Sequence, residues 1–329
     1  MKHSARQTCH SGEGRDPVVE PGRCPESRPL DCGLRCDDGL AHWGRGDQAS
    51  GLRRLLDQGG LRVLSVSAGE GASKRNWAMI NLAGALAQGG SEVLILDAGP
   101  PEQGVAAALG LRVRFDLEDA IRRRRELHEV ILRGPGGISV LPLSRGVRSL
   151  AQLAAPDRQW LLQCCDGAGQ SFDTLLADAA YASFAAPAAE LIVLDGAGAS
   201  AVTQAYAHVK RLCLGFARRD FQVLVSNVEG EAQARAVFGN IARVARRHLR
   251  VSLDFLGHVP SDDRLRQAAR LGIPVVAAFP DAASAVSLRR LAYSITGWPR
   301  TQQDSEGLDG FLRGLIDAGR PLTPAAAFA

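Results

Sequence analysis

Long hydrophobic runs are missing from the 329-residue sequence. No stretch of 18 or more apolar residues occurs, and the best candidate, 179–194, carries Glu190 and is too short to span a bilayer. The polar N-terminus lacks an apolar signal region, so the expectation is a cytoplasmic protein. Lysine is nearly absent: Lys2, Lys74 and Lys210 are the three, and arginine carries the rest of the basic side. A net charge of +4 is too small to argue for nucleic acid, and no nucleic-acid partner is expected. Metal-ligand spacing is missing too. Cys9, Cys24, Cys32 and Cys36 match no zinc pattern, and the histidines form no cluster, so no metal site is expected. Cys164, Cys165 and Cys213 fall in apolar helical stretches and are read as buried thiols. No Ser/His/Asp or Cys/His constellation can be assembled.

What remains is an ordinary globular balance with a clear order along the chain. Residues 1–45 are rich in Gly, Pro, Ser, Cys and Arg without apolar periodicity and read as a disordered leader. Residues 46–60 hold a short helical pattern. Asp47 is its N-cap, Leu52, Leu55 and Leu56 its apolar stripe, and Gly59-Gly60 its stop. From 61 to 298, strand-like runs alternate with helical ones. The strands are read at Leu61–Val66, Glu92–Leu96, Ile138–Leu141, Thr174–Ala177, Leu191–Leu194, Phe221–Ser226 and Leu253–Val259. Continuous apolar strands separated by helices predict a doubly wound, mostly parallel α/β sheet covered on both faces. Residues 299–329 form a linker, an amphipathic pattern (Leu308, Phe311, Leu312, Leu315, Ile316) and an Ala/Pro tail. The arginine runs 122–125 and Arg243, Arg246, Arg247 and Arg250 read as solvated helix faces, and 195–198 as a plain turn.

The first strand runs into Ser67-Ala68-Gly69-Glu70-Gly71-Ala72-Ser73-Lys74-Arg75-Asn76, which opens a helix. In a parallel sheet, that junction is where backbone N–H groups and a helix N-terminus hold phosphate. The next strand ends at Asp97, a position from which an acid could face the same site.

Aligned through Asn81-Leu82-Ala83 and Leu94-Ile95-Leu96-Asp97, the chain resembles the MinD/ParA branch of P-loop ATPases, and within it the flagellar-number regulators of FlhG/FleN type. Gly134–Ile138 with Leu141-Pro142, Thr203–Ala207 with Lys210, Leu224–Val228, Leu256–Pro260 and Phe279–Asp281 continue the likeness in order. The resemblance implies a MinD-like P-loop fold over 61–298. It also implies a nucleotide site with Gly69, Gly71, Lys74, Arg75 and Asn76 at the phosphates and Asn227 and Pro260 around the adenine. Asp97 and Asp178 match its acid positions.

The phosphate loop departs from the family's K-G-G-V-G-K-T. Glu70 reverses the charge of the signature lysine, Lys74 fills a glycine position, and Arg75 puts a planar fork where a compact lysine binds phosphate. Asn76 stands for the hydroxyl that would ligate Mg²⁺, and Gly99 for the second aspartate of D-x-D. With Mg²⁺, phosphate and water each losing a partner, hydrolysis is expected to be lost, ATP binding weak or lost, and Mg²⁺ unbound. The competing reading is an active ATP-hydrolysing switch, kept open by Asp97, Asp178 and Asn227.

Asp47, Gln48, Ala49, Leu52 and Arg53 match the D-Q-A-x-x-L-R motif with which, by the resemblance, such proteins activate the signal-recognition-type GTPase FlhF. The amide of Gln48 can donate and accept, as positioning an attacking water requires. Other partners implied are flagellar switch proteins or a flagellar transcription activator. The family's C-terminal amphipathic helix touches the membrane. Here Asp304, Glu306, Asp309 and Asp317 flank the apolar face and oppose anionic lipid. Packing against the domain or a protein partner is therefore favoured over peripheral membrane contact through 304–318.

Overall fold

A computed structural model describes residues 61–68, 72–150, 153–169, 172–179, 189–298 and 308–317. The leader, the 46–60 helix with Asp47, Gln48, Ala49, Leu52 and Arg53, and the loop residues Gly69, Glu70 and Gly71 lie outside the described residues.

The described strands form one eight-stranded sheet in the order β3-β4-β2-β5-β1-β6-β7-β8. All seven strands read from the sequence are present and mutually parallel. The central ones, β1 (Arg62–Ala68) and β2 (Val93–Asp97), are buried at every residue. Their continuous aliphatic runs have no solvent face to alternate against. Between them in the chain, α1 (Ala72–Gln88) opens on polar residues, turns to Ala, Leu, Ile and Met further on, and packs its apolar side on the sheet. Gly84 sits inside α1 because a Cβ there would lie 2.6 Å from Pro274 Cβ. Gly90, at φ 93°, follows the helix end.

After β2 come three short helices, α2 (Val105–Ala108), α3 (Leu117–Ile121) and α4 (Leu127–Val130). The sequence reading missed β3 (Leu132–Arg133), a two-residue strand antiparallel to β4 (Ser139–Pro142). Two residues carry no periodicity. The turn between them is made by Gly136 and Gly137, both with φ above 70°. Then follow α5 (Gly146–Leu150), α6 (Ala155–Gly169), β5 (Thr174–Asp178) and β6 (Ala189–Asp195). Next are α7 (Ala199–Phe216), β7 (Asp220–Val228), α8 (Glu231–Leu249) and β8 (Ser252–Pro260). The remaining helices are α9 (Asp263–Leu271), α10 (Val275–Ala278), α11 (Ala283–Thr296) and α12 (Leu308–Asp317). On β8 the pairing with β7 shifts register after Val223, leaving Leu256 as an extra residue.

Three apolar clusters fill the space around the sheet: one under α1 and α11, one under α7 and α8, and one around α3 and α6. The last includes α12. Leu308, Phe311, Leu312 and Ile316 are buried there, so the amphipathic face points into the protein and not outward toward a membrane. Among the described residues, no helix is long and apolar enough to cross a membrane. Cys213 is buried and Cys164 half-buried. The 122–125 arginines are neutralised one by one, Arg122 by Glu118, Arg123 by Asp157, Arg124 by Asp119 and Arg125 by Glu129.

Candidate functional site

Strand order makes the site. β1 lies between β5 and β6, so the C-terminal ends of those two strands flank the first turn of α1. β5 ends in Asp178 and β6 in Asp195. Each acid takes one cation from α1. Arg75 Nη1 lies 2.8 Å from Asp178 Oδ2, and Lys74 Nζ lies 2.8 Å from Asp195 Oδ2. The Ser226 hydroxyl donates to the other Asp195 oxygen at 3.0 Å. Asp195 is therefore part of the site and not the plain turn that the sequence suggested.

Arg75 and Asp178 are mostly covered, with side chains 21% and 15% exposed. Behind them, α7 brings His208 and Arg211. The Arg211 guanidinium donates to His208 Nδ1 at 2.7 Å. Burial, Arg211 and Arg75, in that order, push the His208 pKa down to about 4, so the ring is neutral at pH 7. Burial also lowers the Arg211 pKa, while the charge of Asp178 opposes that shift. The Asp178 carboxylate thus pairs with Arg75 while its charge also acts on Arg211.

The other loop residues are turned to structural tasks. Asn76 is buried, and its amide donates to the Gln103 carbonyl at 2.7 Å. Asp97, at the end of β2, is buried and held by backbone N–H groups. It accepts from Ala106 N at 2.8 Å and from Gly99 N at 3.2 Å, capping the first turn of α2 from outside. Gly104 presses so closely that a Cβ there would lie 2.4 Å from Asp97 Oδ2. Burial raises the Asp97 pKa, opposed by those backbone bonds and by the Arg75 charge.

Asn227 and Pro260 stand at the ends of β7 and β8, where Val228 pairs with Pro260. The Asn227 backbone is left-handed at φ 57°, a conformation asparagine tolerates better than most residues, and its side chain is exposed. The structure brings these two together, but on strands beyond β6, apart from Arg75. Between the groups, a cavity of about 240 Å³ opens beside Lys74, with Ser73, Asp195 and Ser226 in its lining. Asp195, Ser226, Trp77, His208 and Arg211 are the members that sequence reasoning missed; they come from β6, β7, α1 and α7, which the strand order brings together around the first turn of α1. Among the described residues no His/Cys/Asp/Glu group could hold a metal ion.

The mostly parallel eight-stranded sheet, with helices on both faces, is a doubly wound α/β fold of the MinD-like, P-loop type. The fold matches MinD of Aquifex aeolicus with a TM-score of 0.53 at 18% identity, covering 74% of this chain and 99% of that one. It matches MinD of Pyrococcus horikoshii, solved with Mg-ADP, with a TM-score of 0.53 at 17% identity, covering 72% and 96%. In sequence, the chain is 29% identical over 272 residues to the antiactivator FleN of Pseudomonas aeruginosa, covering 81% of this chain and 96% of FleN. Likeness to FleN in sequence and to MinD in fold supports the MinD-like family of FlhG/FleN type. No protein-family profile matches the chain.

Proposed function

We propose that this protein is a cytoplasmic regulator of bacterial flagellar biosynthesis of FlhG/FleN type, which activates an FlhF-type GTPase through Asp47–Arg53 and has lost its own ATPase. The likeness to FleN, itself named an antiactivator, supports the flagellar role. One observation carries the loss of hydrolysis: both cations of the phosphate loop are already neutralised within the chain, Lys74 by Asp195 and Arg75 by Asp178. To reach Arg75 a phosphate would have to displace Asp178, and at Lys74 it would have to share the ammonium with the charge of Asp195. Mg²⁺ takes oxygen ligands in octahedral geometry, and Asn76 stands where the family has a hydroxyl, buried and tied through its Nδ2 to the Gln103 carbonyl. The adjacent Asn227 and Pro260 favour, as a second reading, residual binding of the nucleotide base without turnover.

The test measures GTP hydrolysis by the FlhF-type GTPase of the same organism with and without the full-length protein. Acceleration is expected, with Gln48→Ala abolishing it while the two proteins still bind. Arg75→Ala should leave it in place. ATP turnover by the purified protein should stay at background; turnover abolished by Asp97→Ala would restore the active-switch reading.

A further inference from the structure

The cavity beside Lys74 has an apolar body and a donor-rich mouth. Trp77, Ala78, Leu224, Val259, Leu265 and Leu288 supply the walls, drawn from α1, β7, β8, α9 and α11. Asn81 lies at the buried floor, and its polar atoms are already used. Its Nδ2 donates to the Trp77 carbonyl at 2.8 Å, and its Oδ1 accepts from Val275 N at 2.8 Å. With its oxygen and one of its two N–H donors engaged, that amide asks little of an occupant.

The mouth is different. Lys74 is 56% exposed there and spends one of its three donors on Asp195. Both Asp195 oxygens are engaged, one by Lys74 and one by the Ser226 hydroxyl, so that carboxylate has little left to offer a ligand. The exposed Ser73 hydroxyl adds a further donor. Asn227 and Pro260 do not line this cavity, which separates it from the place where the resemblance puts the adenine.

We propose that this cavity is a binding site for a small planar apolar molecule carrying one anionic group. The ring packs against Trp77 and the aliphatic wall, and the anion takes the spare donors of Lys74 and Ser73. An aromatic face suits Trp77 because offset stacking adds to the burial of area. The volume, about 240 Å³, accommodates roughly a dozen non-hydrogen atoms, near the small end of ligand pockets. The inference does not depend on the GTPase-activating role.

Calorimetric titration of the full-length protein with 2-naphthoate tests it, with naphthalene-2-carboxamide as the neutral probe of the same shape. Saturable one-to-one binding is expected, at least about tenfold tighter for the carboxylate than for the amide. Lys74→Met should bring the carboxylate down to the level of the amide. Ala78→Phe should fill the cavity and abolish binding of both probes. Should Ala78→Phe fail to fold, as read from its melting curve, Ala269→Leu narrows the same cavity from α9. Equal affinity for the two probes, binding undiminished by the filling variant, or no saturable signal up to about 1 mM would each overturn the proposal.

Discussion

Asp178 closes on Arg75 from the end of β5 at 2.8 Å, and its charge also reaches Arg211 on α7. The acid pairs with one cation and its charge also favours the charged form of a second, on another helix. Its loss should cost more than the loss of either arginine. Asp178→Asn removes both the partner of Arg75 and the charge that offsets the burial of Arg211, whereas Arg75→Met leaves that charge in place. Urea unfolding should show Asp178→Asn destabilising by about 3 kcal/mol, and Arg75→Met by less. Equal effects would mean that Arg211 takes no share of the acid.

The same pairs set affinity for phosphate. The double variant Asp178→Asn, Asp195→Asn frees Arg75 and Lys74 together. Inorganic phosphate should then bind more tightly than to the parent protein, by at least about tenfold in calorimetry at low salt. Affinity unchanged by the double variant would show that the carboxylates are not what keeps phosphate out.

His208 makes stability depend on pH. Its folded pKa, about 4, lies below the ordinary value of 6.5. Between those values the unfolded chain takes up a proton that the folded chain refuses, so stability falls as pH drops through that window and levels off below it. The contribution is on the order of 3 kcal/mol at full extent. Melting temperatures of the parent and of His208→Phe, compared from pH 7 to pH 4, should converge as the pH falls.

Asp97 and Gly104 form a coupled pair. Asp97→Ala should uncap α2 and cost about 1 kcal/mol, with the relief of a buried carboxylate offsetting part of the lost hydrogen bonding. Gly104→Ala should cost more, because the new methyl would meet the Asp97 carboxylate. In the double variant that clash is gone, so the two effects should be less than additive in urea unfolding.

The α12 face offers a direct choice between core and membrane. Leu312→Asp buries a charge in the cluster around α6 and should destabilise the fold by several kcal/mol. The parent protein should not float with anionic vesicles while it remains folded. Flotation that depends on residues 308–317 would mean that the helix undocks.

Seven of the eight strands were legible because a parallel strand buried on both faces has to be apolar along its whole length. β3 was not, since two residues cannot show a period and its pairing depends on the glycine turn before β4. The apolar stripe Leu308–Ile316 announced a helix, and the acids around it argued against anionic lipid. That it closes over α6 required the tertiary structure. At the site, the altered residues Lys74, Arg75 and Asn76 were plain in the sequence. Their partners were not. Asp195 lies 121 positions from Lys74, and nothing local in 195–198 distinguishes an ion-pairing acid from an ordinary turn. Asp97 was legible at the end of its strand, but the backbone N–H groups of Gly99 and Ala106 that hold its carboxylate could not be read from the sequence.

At one margin of the sheet, β8 carries its extra residue at Leu256, next to Gly257, whose φ is 150° and which Leu291 overlies so closely that a Cβ would lie 2.7 Å from it. A straight strand from another molecule could follow that margin only along its first few residues before the ladder breaks step. The kink thus works against edge-to-edge stacking, the route by which open parallel sheets most readily form aggregates.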